Sequence, residues 1–344
     1  MARVLGRRDE NASPDAPAGR LGAYRARDGS DGAPVHIDLD GPHAALVVGK
    51  RGYGKSYTLG VLAEELARAS GVSPVVVDPM GIFSSLAALG TEVVEPTVSA
   101  SALAPRAWCD LLGLAPDSAA GALVWQAARA TETLSGMREF VGAADTKADR
   151  STRRAADNHL ALAESWGVFD PAGLTAPDLL GPAGTVVDLA GLEPEPANAV
   201  VRAVADGLYG HCVAERPERL PWLLVDEAHA FFDGVAGPAL RTLLTRGRQP
   251  GASFVAATQR PSALPAVAVS QADLLLAHRL TASSDLDALA AARPTYFADS
   301  FADRLPEAPG EVLLADDATE SVHTVRVRER ETAHGGASPS ATGR

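Results

Sequence analysis

The run Gly49-Lys50-Arg51-Gly52-Tyr53-Gly54-Lys55-Ser56 fits the pattern G-x-x-x-x-G-K-[ST]. It lies between a short apolar run, His43–Val48, and a stretch, Lys55–Ala69, whose Leu59, Leu62, Ala63 and Leu66 recur at helical spacing. Nothing else in the chain restricts the possible folds as much. The glycines let the backbone curl until its N–H groups point inward, and the start of a helix adds positive potential, so the turn is shaped to hold phosphate. A strand must feed this turn and a helix must leave it, which points to an α/β fold. Gly49, Lys50, Arg51, Gly52, Tyr53, Gly54, Lys55, Ser56 and Tyr57 are the candidate nucleotide contacts. Lys55 is expected to reach the β- and γ-phosphates of ATP, and the Ser56 hydroxyl to ligate Mg²⁺. The alternative is a Gly-rich turn with a solvated lysine, and the strand and helix flanks weigh against it.

Trp222-Leu223-Leu224-Val225-Asp226-Glu227-Ala228-His229 gives an apolar strand with an acidic pair at its C-terminal end. Asp226 is expected to hold Mg²⁺ through water, and Glu227 to polarise the attacking water as general base. Adjacent carboxylates at a sheet edge repel each other unless a cation is near. The alternative is an exposed strand end that caps a helix. Phe254-Val255-Ala256-Ala257-Thr258-Gln259-Arg260-Pro261 is another buried strand ending in polar residues. If it lies between the strand before Gly49 and the strand before Asp226, Thr258 and Gln259 face the γ-phosphate and can sense it. A plain strand followed by a turn at Pro261 explains the same residues equally well.

The 344 residues suffice for one large α/β core with an insertion, or for two domains. Residues 1–40 read as a mostly irregular arm with one short strand near Leu21–Ala26, and Val35–Leu39 alternates like a strand. Residues 41–98 and 184–330 carry the buried runs Val75–Asp78, Thr185–Leu189, Trp222–Asp226, Ser253–Thr258 and Leu274–Arg279 between helical stretches such as Glu195–Val213. Buried strands without alternation imply a parallel sheet covered on both faces. Residues 99–183 are Ala- and Leu-rich and read as a helical insertion. Glu311–Ala315 and Val322–Val327 read as a C-terminal hairpin, and residues 331–344 as a disordered tail.

Composition adds exclusions. No run reaches the ~18 apolar residues needed to span a bilayer, and the N-terminus has no apolar core of a signal peptide, so a cytoplasmic protein without a membrane partner is expected. Cys109 and Cys212 are the only cysteines and read as buried thiols. A net charge of −12 argues against loose binding to nucleic acid but leaves room for DNA in a local basic groove.

Taken in this order, the three motifs resemble the HerA family of the HerA/FtsK superfamily. Val77-Asp78-Pro79-Met80-Gly81-Ile82-Phe83 is similar to that family's D-P-x-G-x-[YF] element, and Thr258-Gln259-Arg260-Pro261-Ser262 to its T-Q-R-P-S signature. Gly247-Arg248-Gln249-Pro250-Gly251 resembles its G-R-x-x-G segment, and His278-Arg279-Leu280-Thr281 its R-L-T strand. The resemblance covers residues 40–98 and 184–328. It implies a RecA-like additional-strand P-loop NTPase core, with residues 99–183 as the mainly helical insertion. It further implies a homo-hexameric ring that hydrolyses ATP at subunit interfaces and moves DNA through its centre, often with a nuclease partner. Carried over by position, Lys55 and Ser56 bind phosphate and Mg²⁺, Asp226 and Glu227 handle metal and water, Gln259 senses the γ-phosphate, and Asp78 supports the site. Arg248 resembles the arginine supplied across the interface, with Arg246 the second candidate and a solvated helix end the alternative for both. Ile82 stands where the family carries an acid, and the N-terminal arm is too short for the family's β-barrel.

No DNA-contacting surface is visible. Lys147, Arg150, Arg153 and Arg154 form the best basic cluster, and they also read as a salt-bridged helix start capped by Ser151. His229 reads as a packed or hydrogen-bonded histidine. Beside the DNA motor stands a second class of function, an ATP-dependent switch or scaffold that does not translocate DNA. A pump in DNA transfer or secretion is a third reading. Transfer to a substrate hydroxyl fits less well, since Glu227 beside Asp226 suits water activation.

Overall fold

A computed structural model describes residues 3–7, 13, 15–26, 28–144, 146–291, 296 and 301–335. The described residues build one mixed sheet of twelve strands. In chain order these are β1 (Arg3–Leu5), β2 (Ala18–Arg25), β3 (Asp31–Asp38), β4 (Ala44–Val48), β5 (Val72–Asp78), β6 (Glu92–Val94), β7 (Thr185–Asp188), β8 (Leu220–Val225), β9 (Ser253–Thr258), β10 (Leu274–Ala277), β11 (Glu311–Asp316) and β12 (Ser321–Val327). Their order across the sheet is β1-β3-β2-β12-β11-β10-β4-β9-β8-β5-β7-β6. From β10 to β6 every pairing is parallel; β10 through β11, β12, β2 and β3 pairs antiparallel, and β1 returns parallel to β3. The α/β, RecA-like reading holds: β9 lies between β4 and β8, the strand order the sensor reading required.

The parallel strands read as unbroken apolar runs because both of their faces are buried. Along β4, Ala44, Leu46 and Val48 join one core while Ala45 and Val47 join the other. Phe254 and Ala256 against Val255 and Ala257 on β9 divide in the same way. Each strand thus faces two cores through the period-2 alternation of its Cβ atoms. On one face lies α1 (Lys55–Arg68), which buries Leu59, Leu62, Ala63 and Leu66. The other face is covered by helices, among them α2 (Pro105–Leu111), α3 (Ala119–Ala130), α4 (Leu134–Gly142), α5 (Arg150–Ser165), α6 (Ala176–Leu179), α7 (Pro194–Ala214), α8 (His229–Phe232) and α9 (Gly237–Arg246). Helices α2 to α6 all come between β6 and β7, and in α2 the buried Trp108 donates its indole N–H to the Ala100 carbonyl at 3.0 Å. No described helix is long and apolar enough to cross a membrane. Cys109 and Cys212 are both free and buried, as expected.

Three expectations change. Residues 1–40 are more than a mostly irregular arm: the strands expected near Leu21–Ala26 and at Val35–Leu39 overlap β2 and β3, and with β1 these extend the sheet beyond β12. Register shifts at Arg20/Gly22 and Ala23/Arg25 interrupt the pairing of β2 with β3. Gly22 is required there, because a Cβ would come within 1.9 Å of the Arg326 carbonyl oxygen on β12. The tail read as 331–344 is held against the protein at its start: Thr332 is buried against α1, while residues 331 and 333–335 lie on the surface, and residues 336–344 lie outside the described residues. The cap of α5 is Asp149 rather than Ser151: the Thr152 amide donates to its Oδ1 at 2.8 Å, and Ser151 also donates to it. Those two bonds hold the Asp149 carboxyl down at about 2.

Candidate nucleotide site

The turn after β4 is tied to its neighbours by backbone bonds. The Lys50 amide donates to the Arg279 carbonyl at 2.8 Å, and the Gly310 amide to the Tyr53 carbonyl at 3.2 Å. Gly52 and Gly54 have φ of +81° and +110°, which L side chains rarely adopt. A Cβ on Gly49 would lie 2.5 Å from the His278 Cβ. His278 closes the turn from behind, with its Nε2 3.0 Å from the Thr58 hydroxyl. Burial, and then the charge of Lys55, pushes its pKa down to about 3, so the ring next to Lys55 stays neutral.

The acidic pair arrives on β8. Asp226 is buried, and its Oδ1 accepts from the Glu227 amide at 2.9 Å. Burial, with the nearby charge of Glu227, pushes the Asp226 carboxyl up to about 6 against the pull of Ser56 and Lys55. Glu227 is also raised by burial, which Lys55 and Arg51 oppose. Lys55 is buried in turn, its pKa lowered by burial, and its Nζ donates to the Lys50 carbonyl at 3.3 Å. His229 places Nδ1 3.2 Å from the Thr258 hydroxyl and 3.4 Å from Glu227 Oε2. The second contact lacks hydrogen-bond geometry, so Glu227 Oε2 is a buried acceptor without a hydrogen-bond partner. A buried and a half-buried carboxylate, one oxygen of the second unsatisfied, next to a single buried ammonium make a site that favours a further cation. Among the described residues, no group of three or more His, Cys, Asp or Glu could hold a metal by itself. A cation here would therefore share Ser56 and Asp226 with oxygens of its ligand.

These groups converge on one cavity of about 500 Å³, lined by Arg51, Gly52, Gly54, Lys55, Ser56, Tyr57, Asp226 and Glu227. Gly49, Lys50 and Tyr53 complete the turn behind it, with the Lys50 ammonium 4.4 Å from the Tyr53 ring centre. Gln259 follows directly on β9, between the ends of β4 and β8. Two candidates stand elsewhere. Asp78 does not line the cavity: its carboxylate accepts from the amides of Met80 (3.2 Å) and Phe83 (2.7 Å) and caps the loop after β5. Arg248 sits at the opposite end of the sheet, paired with Asp273 at 3.4 Å beside the start of β4. The five residues of β4 put it about 15–20 Å from the chain's own Lys55. Arg246 ends α9 and is exposed. Arg279 pairs with Glu307 at the cavity end of β10.

Four wall residues were not expected as site residues. Met80, Pro309, Gly310 and His334 line the cavity, together with Ile82, which gives an apolar wall where the family carries an acid. Met80 lies within the element similar to D-P-x-G-x-[YF], whereas no local pattern marks Pro309, Gly310 or His334, which long-range packing brings in.

A profile of the HerA helicase central domain matches residues 20–205. The chain belongs to the HerA family. The match spans β2 through most of α7 and includes the whole Gly49–Ser56 turn; Asp226 and Glu227 lie beyond it. No curated protein matches the HerA-family chain in sequence. Solved structures share its fold. VirB4 of Thermoanaerobacter pseudethanolicus is 16% identical with a TM-score of 0.68, over 93% of this chain and 99% of that one. The bacterial conjugative coupling protein TrwBdeltaN70 is 16% identical with a TM-score of 0.61, over 94% and 90%. The HerA-family chain is thus a P-loop ATPase.

Proposed function

We propose that this HerA-family chain is a Mg²⁺-dependent ATPase that drives DNA through a homo-hexameric ring. The observation that carries the proposal is the convergence of Lys55, Ser56, Asp226 and Glu227 on one cavity, with a Glu227 oxygen left unpartnered. Phosphates entering the turn draw Lys55 away from the Lys50 carbonyl. Glu227 takes a proton from the water that attacks the γ-phosphorus. The new P–O bond forms as the bond to the β-phosphate oxygen breaks, and ADP leaves with inorganic phosphate. Mg²⁺, held by Ser56 and Asp226, would neutralise charge on the β- and γ-oxygens. Gln259 senses the γ-phosphate from β9. Arg248 stands too far from its own cavity to serve it, which supports a role on the neighbouring subunit's nucleotide. A cytoplasmic location and a nuclease partner acting on DNA ends belong to the same reading.

The test is the ATPase rate with and without linear duplex DNA. A motor is stimulated by DNA. A chain that hydrolyses ATP at the same rate in both is the ATP-dependent switch or scaffold instead, the reading that the apolar Ile82 wall favours.

A further inference from the structure

The chain beyond β12 runs back along α1 and is bound there by one buried carboxylate. Glu64 is wholly buried in the middle of α1. Its Oε1 accepts from the Glu331 amide (3.0 Å), the Thr332 amide (2.8 Å) and the Thr332 hydroxyl (2.7 Å), and its Oε2 pairs with Arg328 at 2.8 Å. A buried carboxylate is costly unless such partners surround it. The segment is fixed at two further points. The Arg330 amide donates to the Tyr57 hydroxyl at 2.6 Å, and the Ser85 hydroxyl donates to the Ala333 carbonyl at 2.6 Å. Arg330 also approaches His334 Nδ1 at 3.3 Å.

The consequence lies at the mouth of the cavity. His334 meets Tyr57 edge-on, with ring centroids 5.4 Å apart and planes at 76°. Both rings line the same cavity as the phosphate turn, as do Pro309 and Gly310. Above Gly310 the space is open: a Cβ there would meet nothing within 4 Å. A nucleotide whose phosphates occupy Gly52–Ser56 and whose γ-phosphate faces Glu227 must extend its base away from Glu227, past Tyr57. That end of the cavity offers flat aromatic and proline surfaces, which suit a nucleobase and have no use for phosphate.

We propose that residues 328–335 carry the base-binding wall of the nucleotide site. His334 and Tyr57 hold the nucleobase over Pro309–Gly310, and Glu64 fixes the segment that brings His334 there. The proposal rests on the reading of this cavity as a nucleotide site and assigns its base end. Stacking recognises the π-face that every base has, so the seat selects for a base rather than for one base.

The experiment is calorimetric titration of the full chain with ATP and, separately, with inorganic tripolyphosphate, which has the phosphates and no base. His334→Ala should weaken ATP binding about tenfold, the loss of one stacked ring. His334→Phe should restore it, and tripolyphosphate affinity should be the same in all three proteins. Unchanged ATP affinity in His334→Ala overturns the seat and leaves the nucleotide site standing. Equal weakening of both ligands also overturns it, since the segment would then only support the phosphate turn. Tighter ATP binding in His334→Ala overturns it in favour of a segment that obstructs the base. Wild-type protein that binds neither ligand removes the nucleotide reading and the seat together.

Discussion

Glu227 has a φ of +47°, a conformation uncommon outside glycine that costs about 1–3 kcal/mol. The Ala228 amide donates to the Ala257 carbonyl of β9 at 2.9 Å, which holds this turn as β8 ends and the acid enters the cavity. Strain held beside a buried, unsatisfied carboxylate oxygen fits a catalytic group better than a capping residue. Another buried group reports on stability. His43 lies between Asp273 (3.0 Å) and Asp38 (3.3 Å) at the start of β4, with Arg7 and Arg248 bonded to the same carboxylates. Burial alone would lower its pKa, but the two carboxylates raise it to about 9. A histidine raised in the folded state stabilises fully below its unfolded value of about 6.5, and that contribution disappears as pH rises to about 9. The unfolding free energy from urea denaturation should therefore fall between pH 6.5 and 9 by an amount on the order of 3 kcal/mol, lowering the midpoint, and His43→Gln should flatten the fall. A wild-type midpoint that is constant over this range would show His43 to be neutral in the folded protein. Lys55, Ser56, Asp226 and Glu227, which line the cavity, stood out in sequence because a short local pattern marks each of them. His278, His334 and Gly310 were not, since only the folded sheet brings them to the turn.

Among the elements, the parallel strands were legible because burial on both faces leaves a continuous apolar run. Of the edge strands, β2 and β3 were partly legible near Leu21–Ala26 and Val35–Leu39, but that β2 pairs with β12 and so joins them to the sheet is not recorded in any local periodicity. The same holds for residues 331–335, whose polar sequence looks solvated until Glu64 is seen inside α1. Helix and segment should stand or fall together. Glu64→Ala leaves Arg330, with a side-chain exposure of 1%, a buried cation without its Glu64 partner, and leaves Arg328, at 11%, with Glu65 of its two partners on α1. Breaking a buried pair from one side costs about 3–5 kcal/mol. Urea denaturation of Glu64→Ala should show a loss of that size, and limited proteolysis should cut the released segment after Arg328 or Arg330. A loss below about 1 kcal/mol, the worth of an exposed pair, would mean that the segment is not anchored through Glu64. Since burial raises the Glu64 pKa and its Thr332, Arg328 and Glu331 partners lower it further, the net shift is downward. Its contribution is present above the usual carboxylate value and is lost as pH falls through the lowered one.

For the whole molecule, the account requires neighbours. The chain's own cavity has no place for Arg248, so its proposed partner is the nucleotide of the next subunit. Mixing variants tests this. Arg248→Ala keeps Glu227, and Glu227→Gln keeps Arg248; each should be nearly inactive alone, since such an arginine is worth ~10³–10⁵ in rate. Mixed and allowed to exchange, some interfaces pair an intact Glu227 with an intact Arg248, and ATPase activity should partly return. A mixture that stays inactive despite proven exchange would exclude the trans role and turn attention to Arg246 or Arg279. The central claim, that this cavity hydrolyses ATP with Glu227 as the base, is tested most directly by one comparison: ATP turnover and ATP affinity of Glu227→Gln against wild type, with Mg²⁺ present. The account predicts turnover lower by at least ~10²-fold, with ATP still bound, because only water activation is lost. Turnover at the wild-type rate would contradict it.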